Sequence, residues 1–124
     1  MPALLPPSPT ALLVACLCAN WCGTCRDYRV MFDQLAVKFP DTEFLWIDIE
    51  DEADLVDPIE VEDFPTILIV SPTHALFFGT VTPHMQTLQR LIEAHHSSSR
   101  SPLPPDTNLN DVIDRLWKRV PHTR

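Results

Sequence analysis

Between Lys38 and Arg90 the chain has no lysine or arginine, whereas nine carboxylates fall between Asp48 and Asp63. With a formal net charge of -8, that distribution excludes a nucleic-acid surface, which needs a basic stripe to neutralise phosphates. The acidic stretch has two readings: a solvated face that aids solubility, or a surface for a basic partner. Long apolar runs are missing as well. The longest, Ala11 to Ala19, is 9 residues against about 20 for a bilayer span, so no membrane segment is expected. No basic residue precedes that run, and Pro6, Pro7 and Pro9 would break the helix of a secretory leader. Leu13-Val14-Ala15-Cys16 has the outline of a lipoprotein cleavage box, but the same residues are needed as a strand. A cytoplasmic protein is the expectation. Glycine is scarce (2 residues) and proline abundant (13). Proline clusters in 1–10 and 98–107, which read as an irregular amino-terminal stretch and a Ser/Pro linker. There is no internal repeat.

With 124 residues, 45% of them apolar and 21% charged, the chain suits one globular domain and not wholesale disorder. The run Ala11 to Cys18 is continuously apolar, which suits a buried strand of a mostly parallel sheet. From Gly23 to Phe39, Tyr28, Phe32, Leu35 and Phe39 recur at helical spacing, and Pro40 stops the run. Glu43 to Ile49 reads as a second strand, and the acidic Asp51 to Asp57 as one or two helical turns. Thr66 to Val70 and Ala75 to Val81 read as strands joined by a hairpin at Ser71-Pro72-Thr73-His74. Met85, Leu88, Leu91 and Ile92 mark a helix after Pro83. After the linker, 108–124 is expected to form an amphipathic helix and tail, with Asn110 as the helix cap and an apolar face of Val112, Ile113, Leu116, Trp117 and Val120. The order predicts an α/β fold over 11–97, a mixed sheet of about four strands flanked by helices, plus an extra carboxy-terminal helix.

Chemistry concentrates in Trp21-Cys22-Gly23-Thr24-Cys25, between the first strand and the helix. A thiol at the amino end of a helix meets free N–H groups and the positive dipole end, which stabilise the thiolate. Cys22 is therefore the candidate nucleophile, attacking a disulfide to form a mixed disulfide, and Cys25, one turn along, is the candidate resolving thiol. Zinc binding by such a pair needs a second pair of matching spacing, so no metal is expected.

Over about Ala11 to Ser97 the chain resembles the thioredoxin family. Trp21-Cys22-Gly23-Thr24-Cys25 is similar to the family's tryptophan-cysteine-glycine-proline-cysteine site. Phe64-Pro65-Thr66 is similar to its cis-proline loop, with Pro65 40 residues after Cys25. The resemblance implies a thioredoxin-like fold and a thiol-disulfide oxidoreductase working through a redox-active Cys22–Cys25 disulfide with no other cofactor. It also implies a substrate groove lined by Trp21, Gly23, Thr24, Phe64, Pro65 and Thr66, with Pro65 in the cis form. The expected partners are protein disulfides and a redox donor, and the expected state is a monomer. The alternative is a thioredoxin fold kept for protein interaction, with the acidic segment and carboxy-terminal helix engaging a partner and little or no turnover.

Five departures bear on that reading. Cys16 stands six residues before Cys22, where the family places a buried aspartate that moves protons. Gly23-Thr24 replaces glycine-proline, Val30 stands where the family has a helix-kinking proline, and Glu60-Val61-Glu62-Asp63 puts carboxylates before Pro65. The family's first strand and helix have no counterpart ahead of Ala11, and the carboxy-terminal helix is expected to cover the surface they leave. Cys16 and Cys18, two apart on a strand, point to one face under the active-site helix. They are read as two small buried hydrophobes, with a second redox pair, or a four-thiol metal site with Cys22 and Cys25, as the alternatives. The histidines carry no site: His95 and His96 end a helix, and His74, His84 and His122 are expected in solvent. Trp46 and Trp117 are expected as core and docking surface.

Overall fold

Leu12–Cys18 is apolar at every position because both faces of this strand are covered. The structure, a computed structural model, describes residues 12–19, 23–40, 42–56, 61, 64–72, 74–82, 84–96 and 107–119. Their elements run in chain order β1 (Leu12–Cys18), α1 (Gly23–Lys38), β2 (Thr42–Asp48), α2 (Ala53–Val56), β3 (Thr66–Val70), β4 (Ala75–Thr80), α3 (Met85–His96) and α4 (Thr107–Arg119). The sheet order is β2-β1-β3-β4. β1 pairs parallel with β2, which requires the crossover that α1 provides. It pairs antiparallel with β3, and β3 with β4. The expected mixed four-stranded sheet flanked by helices, with an added carboxy-terminal helix, is the observed one.

Strand alternation divides the core in two. Leu12, Val14, Cys16 and Cys18 of β1, with Ile67 and Ile69 of β3, face α1 and α3. Leu13, Ala15 and Leu17, with Leu68 and Val70, face α2 and α4. α1 lays Cys25, Tyr28, Phe32 and Leu35 onto the first face at intervals of three, four and three residues, the stripe of a 3.6-residue helix. Phe32 meets Phe44 and Trp46 edge-on, with ring centroids 5.2 and 5.7 Å away. The β3–β4 hairpin closes through Ser71, whose N–H donates to the His74 carbonyl (2.8 Å) and whose hydroxyl accepts the His74 N–H (3.0 Å).

α4 places Val112, Ile113, Leu116 and Trp117 on the second face. The Trp117 indole Nε1 donates to the Ser71 carbonyl (2.9 Å), joining the helix to the hairpin turn. Arg119 pairs with Glu52, and Arg115 Nη1 donates to the Asp54 carbonyl. Part of the acidic stretch is thus met by basic residues of the chain's own last helix, and α4, offered above as a surface for a partner, spends its apolar face on the domain itself. Its boundary departs from expectation too. The helix begins at Thr107, so Asn110 is an exposed residue within it and not its cap. The apolar face that starts at Val112 fixes which side docks but not where the helix begins. The expected irregular stretch at 1–10, most of the Ser/Pro linker, and Val120 with the tail lie outside the described residues.

Candidate active site

β1 delivers its last inward side chain, Cys18, to the end of the sheet, and α1 starts five residues later at Gly23. The inward stripe of α1 begins at Cys25, so the two cysteines meet where helix floor and strand end converge. They form a disulfide, with Cα atoms 5.8 Å apart, inside the roughly 4.4–6.8 Å span that disulfides occupy. Both residues are fully buried, at 0% exposure. The bond Cys25 holds is therefore with Cys18 and not the expected one with Cys22, because helical periodicity turns Cys25 toward the sheet, directly over Cys18. The reading of Cys18 as a passive small hydrophobe is overturned. The four-thiol metal reading also fails in this state, since it requires Cys18 and Cys25 as separate thiolates. The clue in the sequence was that Cys18 is the terminal residue of its strand and lies on the face that α1 covers. A cysteine inside the strand could not have reached the helix start.

The surroundings of Cys18 can be placed through the ladders. On one side it pairs with Asp48, and its carbonyl accepts the Ile49 N–H at 2.9 Å. On the other side the last registered pair is Leu17 with Thr66, and one further step sets Cys18 opposite Pro65. The Phe64-Pro65 bond is cis, as the resemblance implied. Half-buried Phe64 packs against the cluster that holds Cys18 and Cys25. Pro65 is buried, its carbonyl accepting the Val81 N–H at 3.1 Å. Thr66 is buried as well, with Oγ1 3.5 Å from Thr80 Oγ1. Gly23 and Thr24 are exposed at the start of α1. Among the described residues, a Cβ at Gly23 would meet only Arg26 Nη2, at 3.8 Å, so none of them demands glycine there. Trp21 and Cys22 lie outside the described residues, as do Glu60, Glu62 and Asp63.

Beneath the disulfide is Cys16, a free thiol with Sγ 3.8 Å from Cys18 Sγ. Burial pushes its pKa far up, because a thiolate there would have no water. Tyr28 lies nearby with a buried hydroxyl that has no hydrogen-bond partner among the described residues. Its pKa is raised by burial first and by Cys16 second. At neutral pH neither group carries charge, so position 16 supplies no carboxylate for proton transfer. Arg29 lies over the Trp46 ring, 5.3 Å from its centre, which holds that indole in the wall beside α1. His74 and His84 are exposed, and His95 Nδ1 contacts the Leu91 carbonyl at 2.9 Å.

The site thus combines a strand-helix junction, a cysteine in the first helical turn and a cis-proline that the strand register sets opposite Cys18. The family model described as Thioredoxin matches residues 7–93. The chain belongs to the thioredoxin family. Among curated relatives, a thioredoxin H-type of Fagopyrum esculentum is 36% identical over 59 residues, covering 48% of this chain and 51% of its own length. A thioredoxin of Gallus gallus is 36% identical over 55 residues, covering 44% and 52%. The chain thus spans about half the length of the curated relatives it matches. Among solved structures, Fasciola hepatica thioredoxin superposes with a TM-score of 0.64 at 23% identity, over 69% of this chain and 82% of that one. A thioredoxin of Nicotiana alata gives 0.62 at 24% identity, over 75% and 76%. These structures share the thioredoxin fold with it. Among the described residues no helix is long and apolar enough to cross a membrane.

Proposed function

We propose that this thioredoxin-family chain is a thiol-disulfide oxidoreductase that reduces or exchanges protein disulfides, with Cys22 as nucleophile and Cys25 as resolving thiol. The observation that carries this reading is Cys25 itself, a cysteine in the first turn of α1, already engaged in a disulfide within the cluster that Phe64 of the cis-proline loop packs against. The Cys22 thiolate attacks one sulfur of a substrate disulfide and releases the other as a thiolate. Cys25 then attacks Cys22 Sγ, releasing the second substrate thiol and leaving Cys22–Cys25. Trp21, Gly23, Thr24, Phe64, Pro65 and Thr66 form the groove in this reading. The partners are protein disulfides and a thiol donor in a reducing compartment such as the cytoplasm, where such donors keep dithiols reduced.

The test is catalysis of insulin-disulfide reduction by dithiothreitol near pH 7, with Cys22 alkylation measured alongside. The expected result is an acceleration that Cys22→Ser abolishes, and a Cys22 thiol that alkylates faster than an ordinary one. No acceleration, with Cys22 no more reactive than a free cysteine, would overturn the reading. A second reading, an interaction module with weak turnover, is favoured by Cys16 in the aspartate position and by Cys25 being tied to Cys18. A partner still captured when Cys22 and Cys25 are both serine would support it.

A further inference from the structure

A strand at the edge of a sheet presents backbone donors and acceptors that another chain can pair with, and proteins guard such edges with lysine, proline, bulges or a covering segment. The sheet has two edges, β2 and β4, and among the described residues no strand pairs with the outer side of either. β2 carries Glu43 and Asp48 and runs into the acidic stretch that begins at Asp48. A second copy of the chain approaching there would bring like charges together. β4 differs. Its sequence, Ala-Leu-Phe-Phe-Gly-Thr, contains neither charge nor proline, and no Asp, Glu, Lys or Arg occurs between Asp63 and Arg90. In a chain of net charge -8 this is the neutral stretch. Its one irregularity of register lies at the far end, opposite Ile69 and Val70, and residues 77–80 pair regularly with 66–69. The ladder fixes which groups face outward. The Val81 N–H donates to the Pro65 carbonyl at 3.1 Å, so 77, 79 and 81 turn their backbone toward β3, while Phe78 and Thr80 turn theirs away from it. Phe78 is 38% exposed, and Thr80 is exposed on the same face of the strand.

We propose that the outer edge of β4 is a self-association surface, pairing antiparallel with β4 of a second copy of this chain across a two-fold axis at Gly79. The strand is self-complementary in that register. Phe78 of each copy exchanges N–H···O bonds with Thr80 of the other, so the outward backbone groups of both residues are used. The two Phe78 rings become diagonal neighbours on one face, within reach of each other, and their exposed apolar surface leaves water. Gly79, on the axis, has no side chain to hold the backbones apart. The paired segment contains no carboxylate, so none stands opposite another, which separates this edge from that of β2. A contact of this symmetry closes on itself and stops at the dimer. The interface is small, so the monomer implied by the family resemblance is the dilute state and the dimer the concentrated one, with a dissociation constant of about 10–100 μM.

The experiment is sedimentation equilibrium of the full chain from about 1 μM to 1 mM, with amide hydrogen exchange of β4 read at both ends of that range. The expected result is a mass that rises toward twice the monomer's, with the Phe78 and Thr80 amides exchanging more slowly in the concentrated sample. Phe78→Lys sets two ammonium groups near each other across the axis. It is expected to weaken association at least about tenfold and to remove the concentration dependence of exchange. Its far-ultraviolet circular dichroism is compared with that of the unmodified chain, and if the variant does not fold, the exchange data on the unmodified chain decide alone. A monomer at every concentration would overturn the proposal. So would a dimer whose Phe78 and Thr80 amides are not slowed, since another surface, such as the β2 edge, would then be the one that pairs. A dimer that persists on a non-reducing denaturing gel would overturn it too, because a disulfide between copies would hold it together.

Discussion

Replacing Trp117 by alanine tests whether α4 is part of the domain. The indole is 8% exposed, packs in the cluster with Leu13, Leu17, Leu68 and Val70, and donates Nε1–H to the Ser71 carbonyl at 2.9 Å. Truncating a buried aromatic residue to alanine costs about 3–5 kcal/mol, the lost transfer energy plus the cavity left behind. Total stability of domains this size is about 5–15 kcal/mol, so this one change removes a large share of it. With a urea slope of roughly 2 kcal/mol per molar, the unfolding midpoint falls by about 2 M. The assay is urea unfolding followed by far-ultraviolet circular dichroism, since the substitution also removes a fluorophore. Trp117→Phe separates the two contributions: it keeps most of the apolar contact and loses the indole donor, for about 1 kcal/mol. An unchanged midpoint in Trp117→Ala would refute the packing of α4 on the sheet, and with it the argument that this helix is spent on the fold and not on a partner.

Tyr28→Phe removes a buried hydroxyl that has no hydrogen-bond partner among the described residues. The expected effect on thermal stability is neutral to stabilising by about 1 kcal/mol, and a clear loss would show that the hydroxyl is satisfied. Burial raises the Cys16 thiol above its ordinary 9.0, so the folded chain keeps a proton that the unfolded chain gives up above that pH. The stabilisation is present in full below pH 9 and declines as pH rises further, at up to about 1.4 kcal/mol per pH unit. Cys16→Ala should flatten the fall in urea midpoint between pH 9 and 10.5, and an identical slope in both proteins would contradict it. Arg119→Ala breaks an ion pair whose arginine side chain is half exposed. The expected loss in urea midpoint corresponds to under about 1 kcal/mol and shrinks in high salt, whereas a larger loss would mean that the pair anchors α4.

Much of the fold was legible because its signals are local. The uniform apolarity of Leu12–Cys18 follows from being a central strand covered twice, and the spacing of Tyr28, Phe32 and Leu35 is that of one helical face. The Phe64-Pro65-Thr66 resemblance marked the cis bond before any coordinates. Asn110 lies inside α4 and not at its cap, because helix ends depend on context and not on the periodic face.

Residue order alone determined the α/β architecture and the resemblance to the thioredoxin family, since hydrophobic period, turn residues and motif spacing are written along the chain. Tertiary structure decided which cysteine meets which. Cys18 and Cys25 are seven residues apart in sequence, and only the docking of α1 onto the end of β1 turns both inward to the same dry point. It also decided that the acidic stretch and the last helix face each other, because α4 reaches Glu52 and Asp54 only after its apolar face is buried on the sheet.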